Sequence, residues 1–209
     1  EGGYMTTGKD TYIRNSSFYL TDAVACEPFV SETRFHNNLY LANNYAKANN
    51  LNLQKDAGAT GLMPYQYEYE KTLRVYSMTI DLKMIGTDSN FPEEEADGVE
   101  KAERVNSLLS AVENLSLVVR GNLDNAEPIF VVGGFSERKT HYFENVVKVI
   151  DNRLELSEDL VHKVKKGFSV ALLRGHNFDN EDEIMEKLNA MSVEDFFETL
   201  REQVRDYYK

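Results

Sequence analysis

The chain has 209 residues, 42% of them hydrophobic, and a formal net charge of −12. That is enough apolar material for one domain with a buried core and room for a large insertion. No apolar run approaches the roughly 18 residues of a membrane span, and Cys26 is the sole cysteine, so a membrane helix, a disulfide framework and a cysteine-built zinc site are all excluded.

Cys26 reads as a small buried hydrophobe in a reducing cytoplasm. No charged-then-apolar leader opens the chain, so export is not expected. The chain begins at Glu1 rather than methionine and is read as a trimmed product or a fragment. Its negative charge alone argues against a nucleic-acid partner, because phosphate binding needs Lys and Arg. The charge is unevenly spread, however. Residues 1–90 are nearly balanced, with eight basic and ten acidic side chains; residues 138–174 carry eight basic and five acidic; residues 179–209 carry four basic and ten acidic. Acid concentrated in a tail does not exclude a basic groove elsewhere.

Residues 1–17, rich in Gly, Thr, Ser and Asn, read as loop. Phe18 to Phe29 reads as a strand ended by Pro28. The Asn- and Ala-rich stretch 36–62 reads as an irregular insertion with a short helix at Leu39–Ala48, and an insertion of this length is usually functional or mobile. Tyr65, Tyr67 and Tyr69 then alternate with Gln66, Glu68 and Glu70. Leu73, Val75, Met78, Ile80 and Leu82 continue as a long strand across 73–84. Gly86 and the acidic run through Glu93, Glu94, Glu95 and Asp97 form a loop. Val105, Leu108, Leu109, Val112 and Leu115 fall on one face of a helix from Glu100 to Val118, closed by Asn122 and Asp124. Ile129–Val132 is a short buried strand stopped by Gly133 and Gly134. His141–Ile150 alternates as a further strand. A helix near Leu156–Lys166, a strand at Ser169–Leu173 and two acidic helices follow, the last starting at Ser192 with Asp195 in its first turn. The pattern predicts an α+β fold, an antiparallel sheet with helices on one face. That sheet is expected to hold 73–84, 128–133 and 141–150.

Three segments together carry a family resemblance: Tyr4–Phe29 (YMTTGKDTYIRNSSFYLTDAVACEPF), Tyr67–Gly86 (YEYEKTLRVYSMTIDLKMIG) and Phe130–Val149 (FVVGGFSERKTHYFENVVKV). In this order and spacing they resemble the DevR-type backbone protein of the type I-B CRISPR Cascade complex, the "Cas seven" family of the RAMP superfamily. The resemblance covers roughly residues 4–150. It implies an RRM-like (ferredoxin-like) domain over 1–209, with 36–64 as an inserted loop region and 151–209 as a helical C-terminal extension. It implies a cytoplasmic, prokaryotic, antiviral role: several copies side by side along a CRISPR RNA, with target DNA paired to the guide, other Cascade subunits as neighbours, no membrane and no cofactor. It implies no catalytic residue. Such proteins open with a strand and a basic helix that have no counterpart before Tyr4, so part of the RNA groove is expected to lie outside this sequence. An exposed sheet edge or apolar patch is expected in its place.

The candidate RNA-binding residues are Lys9, Arg14, Arg34, Gly133, Gly134, Ser136, Arg138, Lys139 and Tyr142. Paired glycines after a strand let backbone amides approach phosphate. Arg138 and Lys139 then neutralise phosphates, and Phe135 or Tyr142 offers a ring for a base. Lys9 and Arg14 flank Tyr12 in a polar strap, the mixture that single strands favour. Arg34 and His36 open the insertion, with Lys47 and Lys55 inside it. The plainer readings are a solvated hairpin loop and an ordinary linker. His36, His141, His162 and His176 lack partners at metal-ligand spacing, so no metal is expected. The rival function is a RAMP-type endoribonuclease that processes CRISPR RNA, with His141 beside Lys139 and Tyr142 as its one constellation. A protein-interaction module using the acidic tail is a third reading.

Overall fold

A computed structural model describes residues 1–28, 32–61, 65–119 and 121–209. In chain order the elements are β1 (Tyr4–Thr6), β2 (Tyr12–Arg14), β3 (Phe18–Leu20), β4 (Val24–Ala25), β5 (Glu32–His36), α1 (Leu39–Ala48) and β6 (Tyr65–Tyr69). Then come β7 (Arg74–Val75), β8 (Met78–Ile80), α2 (Gly98–Glu113), β9 (Ser116–Val119), β10 (Asn122–Asn125) and β11 (Phe130–Gly133). The chain ends with β12 (Val149–Ile150), β13 (Arg153–Leu154), α3 (Glu158–Val164), β14 (Ser169–Leu172), α4 (Glu181–Leu188) and α5 (Val193–Tyr207). Among the described residues, short antiparallel pairs and five helices make a mixed α+β architecture, consistent with an RRM-like fold.

Contacts divide the chain into two compact units. One spans residues 27–73 and holds β5, α1 and β6. In it β5 pairs antiparallel with β6, from Glu32 opposite Tyr69 to His36 opposite Tyr65. Helix α1 covers the residues expected from sequence and buries Ala42 and Ala46.

The other unit comprises residues 1–26 and 74–209. Its core lies between α2, α5 and the β11–β14 pair. Ala102, Val105 and Leu109 of α2 meet Val193, Phe196, Phe197 and Val204 of α5, with Ala171 of β14 and Ile85. Phe196 and Phe197 pack edge to face at 5.5 Å. Arg201 of α5 joins Glu113 of α2 at 2.6 Å, both largely buried. Each helix starts where its cap dictates. Asp97 accepts from the Glu100 amide at 2.8 Å, and Ser192 accepts from the Asp195 amide at 3.0 Å, which satisfies amides that helix geometry leaves open. Residues 151–209, read from sequence as an extension, thus supply a core strand and the helix that closes this core.

Several expectations are corrected. The strand read over Phe18–Phe29 is two short strands, β3 and β4, and Phe29 lies outside the described residues. The long strand over 73–84 is β7 and β8 followed by a 3-10 turn at Leu82–Met84. Helix α2 stops at Glu113, because Asn114 caps it and the β-branched run before Gly121 pairs with 122–125 as a hairpin. Residues 141–150 are not a strand beside β11. That position is taken by β14, Phe130 opposite Leu172 through Gly133 opposite Ser169. Residues 142–146 turn instead, with the Val146 amide donating to the Phe143 carbonyl. Cys26 is half-buried rather than buried.

Candidate nucleic-acid interface

The loop leaving β11 is the sharpest feature of the sequence. Gly134 has φ +153°, and a Cβ there would sit 3.3 Å from the Phe168 ring. Only glycine lets the chain turn away from the strand so close to Phe168. Residues 134–140 that follow are all exposed. Ser136 Oγ accepts from the Arg138 amide at 3.1 Å, which fixes a tight turn in the middle of the loop.

The two basic side chains of the loop differ. Arg138 makes no ion pair among the described residues, and its guanidinium lies 5.7 Å from the Tyr142 ring centre. Lys139 is anchored. Its ammonium is 3.1 Å from Asp81 Oδ2 and 4.8 Å over the Tyr19 ring. The Tyr19 hydroxyl and the Asp81 carboxylate both push its pKa upward, so its charge is secure. Asp81 also accepts from the Lys83 amide at 3.2 Å, capping the Leu82–Met84 turn. The loop is therefore held against the turn after β8, while Arg138 rests by the Tyr142 ring with its charge unpaired among the described residues.

Tyr142 is not an open stacking platform. Its ring stacks on Phe168 at 5.2 Å and meets Phe143 edge on. Lys163 Nζ sits 4.4 Å over the same ring and donates to the Tyr142 carbonyl at 2.6 Å. Tyr142 thus gathers Arg138 and Lys163 on one aromatic support. Phe135, by contrast, is exposed, and its ring neighbour is Tyr207 at 5.9 Å.

The remaining sequence candidates lie elsewhere. Lys9 is exposed in the bend between β1 and β2. Arg14 is committed to the fold. It pairs with Glu1 at 2.8 Å and donates to the Thr87 and Met84 carbonyls at 2.9 and 2.8 Å. Burial raises the Glu1 pKa, but Arg104, Arg14, the Gly86 amide and Ser17 outweigh it and hold the carboxyl at about 2. Tyr12 packs on Phe91 at 5.2 Å, so the strap read around Lys9 and Arg14 is tied down. Arg34 lies on β5 opposite Tyr67, in the 27–73 unit, and its side chain falls outside the described part. Lys47 and Lys55 are exposed in that same unit.

The histidine constellation does not converge. His141 Nδ1 shares a hydrogen bond with Thr79 Oγ1 at 3.0 Å, Lys139 is held by Asp81, and the Tyr142 ring is held by Phe168. Among the described residues, no three His, Cys, Asp or Glu side chains gather to hold a metal ion. No helix is long and apolar enough to cross a membrane among them.

A family model described as CRISPR-associated negative auto-regulator DevR/Csa2 matches residues 1–158. The chain belongs to the DevR/Csa2 family. No curated protein and no solved structure matches it. The match contains the Gly133–Tyr142 segment of this DevR/Csa2 chain and every candidate residue read from sequence. It ends at the first residue of α3, so Lys163, Phe168 and Tyr207 stand beyond it. Sequence reasoning missed Tyr19, Asp81, Lys163 and Tyr207. Lys163 alone left a trace, in the basic excess of residues 138–174.

Proposed function

We propose that this CRISPR-associated chain is a guide-RNA-binding backbone subunit of a Cascade interference complex in the prokaryotic cytoplasm. In this reading several copies line up along one CRISPR RNA, hold it for pairing with target DNA and contact the other Cascade subunits. The chain binds and does not cut. The observation that carries the reading is the exposed loop on Gly134, which offers an Arg138 with no ion-pair partner among the described residues and a fixed Lys139 within a family-matched segment. Cations of this kind bind backbone phosphate without regard to sequence, as a carrier of any guide requires. Separate engagement of His141, Lys139 and Tyr142 supports binding over cleavage, since acid–base chemistry needs groups converging on one phosphate.

The test is a titration of the protein against two unrelated single-stranded RNAs and one CRISPR repeat RNA, with the RNA recovered on a denaturing gel. Similar micromolar or weaker affinities, a steep fall with salt and intact RNA are expected. Cleavage of the repeat RNA that His141→Ala abolishes would assign the chain to the processing endoribonucleases instead. Absence of RNA binding at low salt would reject both.

A further inference from the structure

We infer that Phe135 and Tyr207 form a two-ring platform on which an unpaired base of the bound single strand stacks. This rests on the RNA-binding reading above and adds Tyr207, which lies beyond the family-matched segment, to the contact. Single-strand sites combine cations for phosphates with exposed rings for bases. The cations here are Arg138 and Lys139, and of the two rings read from sequence, Phe135 and Tyr142, the second is already occupied.

Phe135 and Tyr207 are the aromatic pair open beside that loop. They are 40% and 48% exposed, with ring centres 5.9 Å apart and planes tilted by 52°. A base inserted between them would need roughly 7 Å, two carbon contact distances. The geometry therefore points to stacking on the outer face of the pair. Tyr207 is also held in place, which lowers the entropy a stacked base must overcome. Its neighbour Tyr208 turns inward, donates its hydroxyl to the Leu82 carbonyl at 2.6 Å, and meets the Tyr207 ring edge on at 4.9 Å. Gly98 makes room for this, since a side chain there would collide with the Tyr208 carbonyl. Leu82 follows Asp81, the partner of Lys139, so the same turn fixes both the end of α5 and the basic loop. The adjacent carboxylate on α5, Asp206, is paired with Lys209 at 2.6 Å, which softens its repulsion of phosphate.

The chain has no tryptophan, so Tyr207→Trp installs a single fluorophore in the platform and Glu186→Trp, on the acidic α4, serves as control. Single-stranded RNA should quench the Tyr207→Trp emission with the midpoint seen by gel shift, and leave Glu186→Trp unchanged. Tyr207→Ala and Phe135→Ala should each weaken binding at least about fivefold, while unfolding midpoints stay close to the unsubstituted protein. RNA that shifts the protein without quenching Tyr207→Trp would overturn the platform and leave the RNA-binding reading standing. Equal quenching by duplex RNA, whose bases are not free, would also overturn it. A concentration-dependent emission change without RNA would assign the rings to contact between copies instead. If the unsubstituted protein shifts no RNA at all, the reading beneath the platform fails with it.

Discussion

Replacing Phe196 by alanine tests how far the C-terminal residues are part of the fold. Phe196 is 1% exposed at the centre of the core built from α2, α5 and β14. Its ring packs edge to face on Phe197 at 5.5 Å, and its tip faces Gly133 at the end of β11. Truncating a buried phenylalanine loses its transfer free energy and leaves a cavity, about 3–5 kcal/mol in all. The aromatic pair accounts for roughly 0.5–1.5 kcal/mol beyond area burial. In a chain of 209 residues each kilocalorie moves the midpoint by about 2–4 °C. Phe196→Ala should therefore lower Tm by roughly 6–20 °C, read by circular dichroism or calorimetry. Because the ring supports Gly133, RNA affinity should fall as well, well below the unfolding transition. A loss under about 1 kcal/mol would show that α5 does not close this core, and would refute the role given to residues 151–209.

Acid should act through Glu1. Its carboxyl falls from 4.5 to about 2 on folding, so its stabilisation is complete above 4.5 and lost as pH drops through that window. Melts of Glu1→Gln across the window should therefore be flatter than the parent; identical pH profiles would reject the Arg14–Glu1–Arg104 account. Asp81→Asn should release Lys139 from its exposed ion pair, tightening RNA and steepening the salt slope, since the freed ammonium can then meet a phosphate. Weaker binding in that variant would mean that Asp81 positions Lys139 for RNA rather than competing for it.

What the sequence revealed was local. The Ser192 start of α5 was legible because its cap acts within three residues, and Leu39–Ala48 because Ala42 and Ala46, one helical turn apart, share the buried face. The Gly133–Gly134 loop was legible because two glycines after an apolar run weaken the strand and let the backbone reach turns closed to other residues. The partner of β11 was not, because β14 lies some forty residues further on and the alternation of 141–150 imitates a strand. There Tyr142 and Phe143 both pack on Phe168, and the backbone turns instead. Arg14 looked like a phosphate ligand because its partners, Met84 and Thr87, are remote in sequence. Tyr207 stood in an acidic tail whose charge concealed its place beside a basic loop.

The central claim is that RNA backbone runs over the loop after Gly134. Its most direct test is the double reversal Arg138→Glu with Lys139→Glu, with single-stranded RNA affinity measured over a range of salt. Each lost phosphate contact lowers the slope of log K against log salt by about 0.7, so the slope should drop by about 1.4 and most affinity should vanish. An unchanged affinity and slope in a variant that still folds would contradict the account and move the RNA path away from this loop.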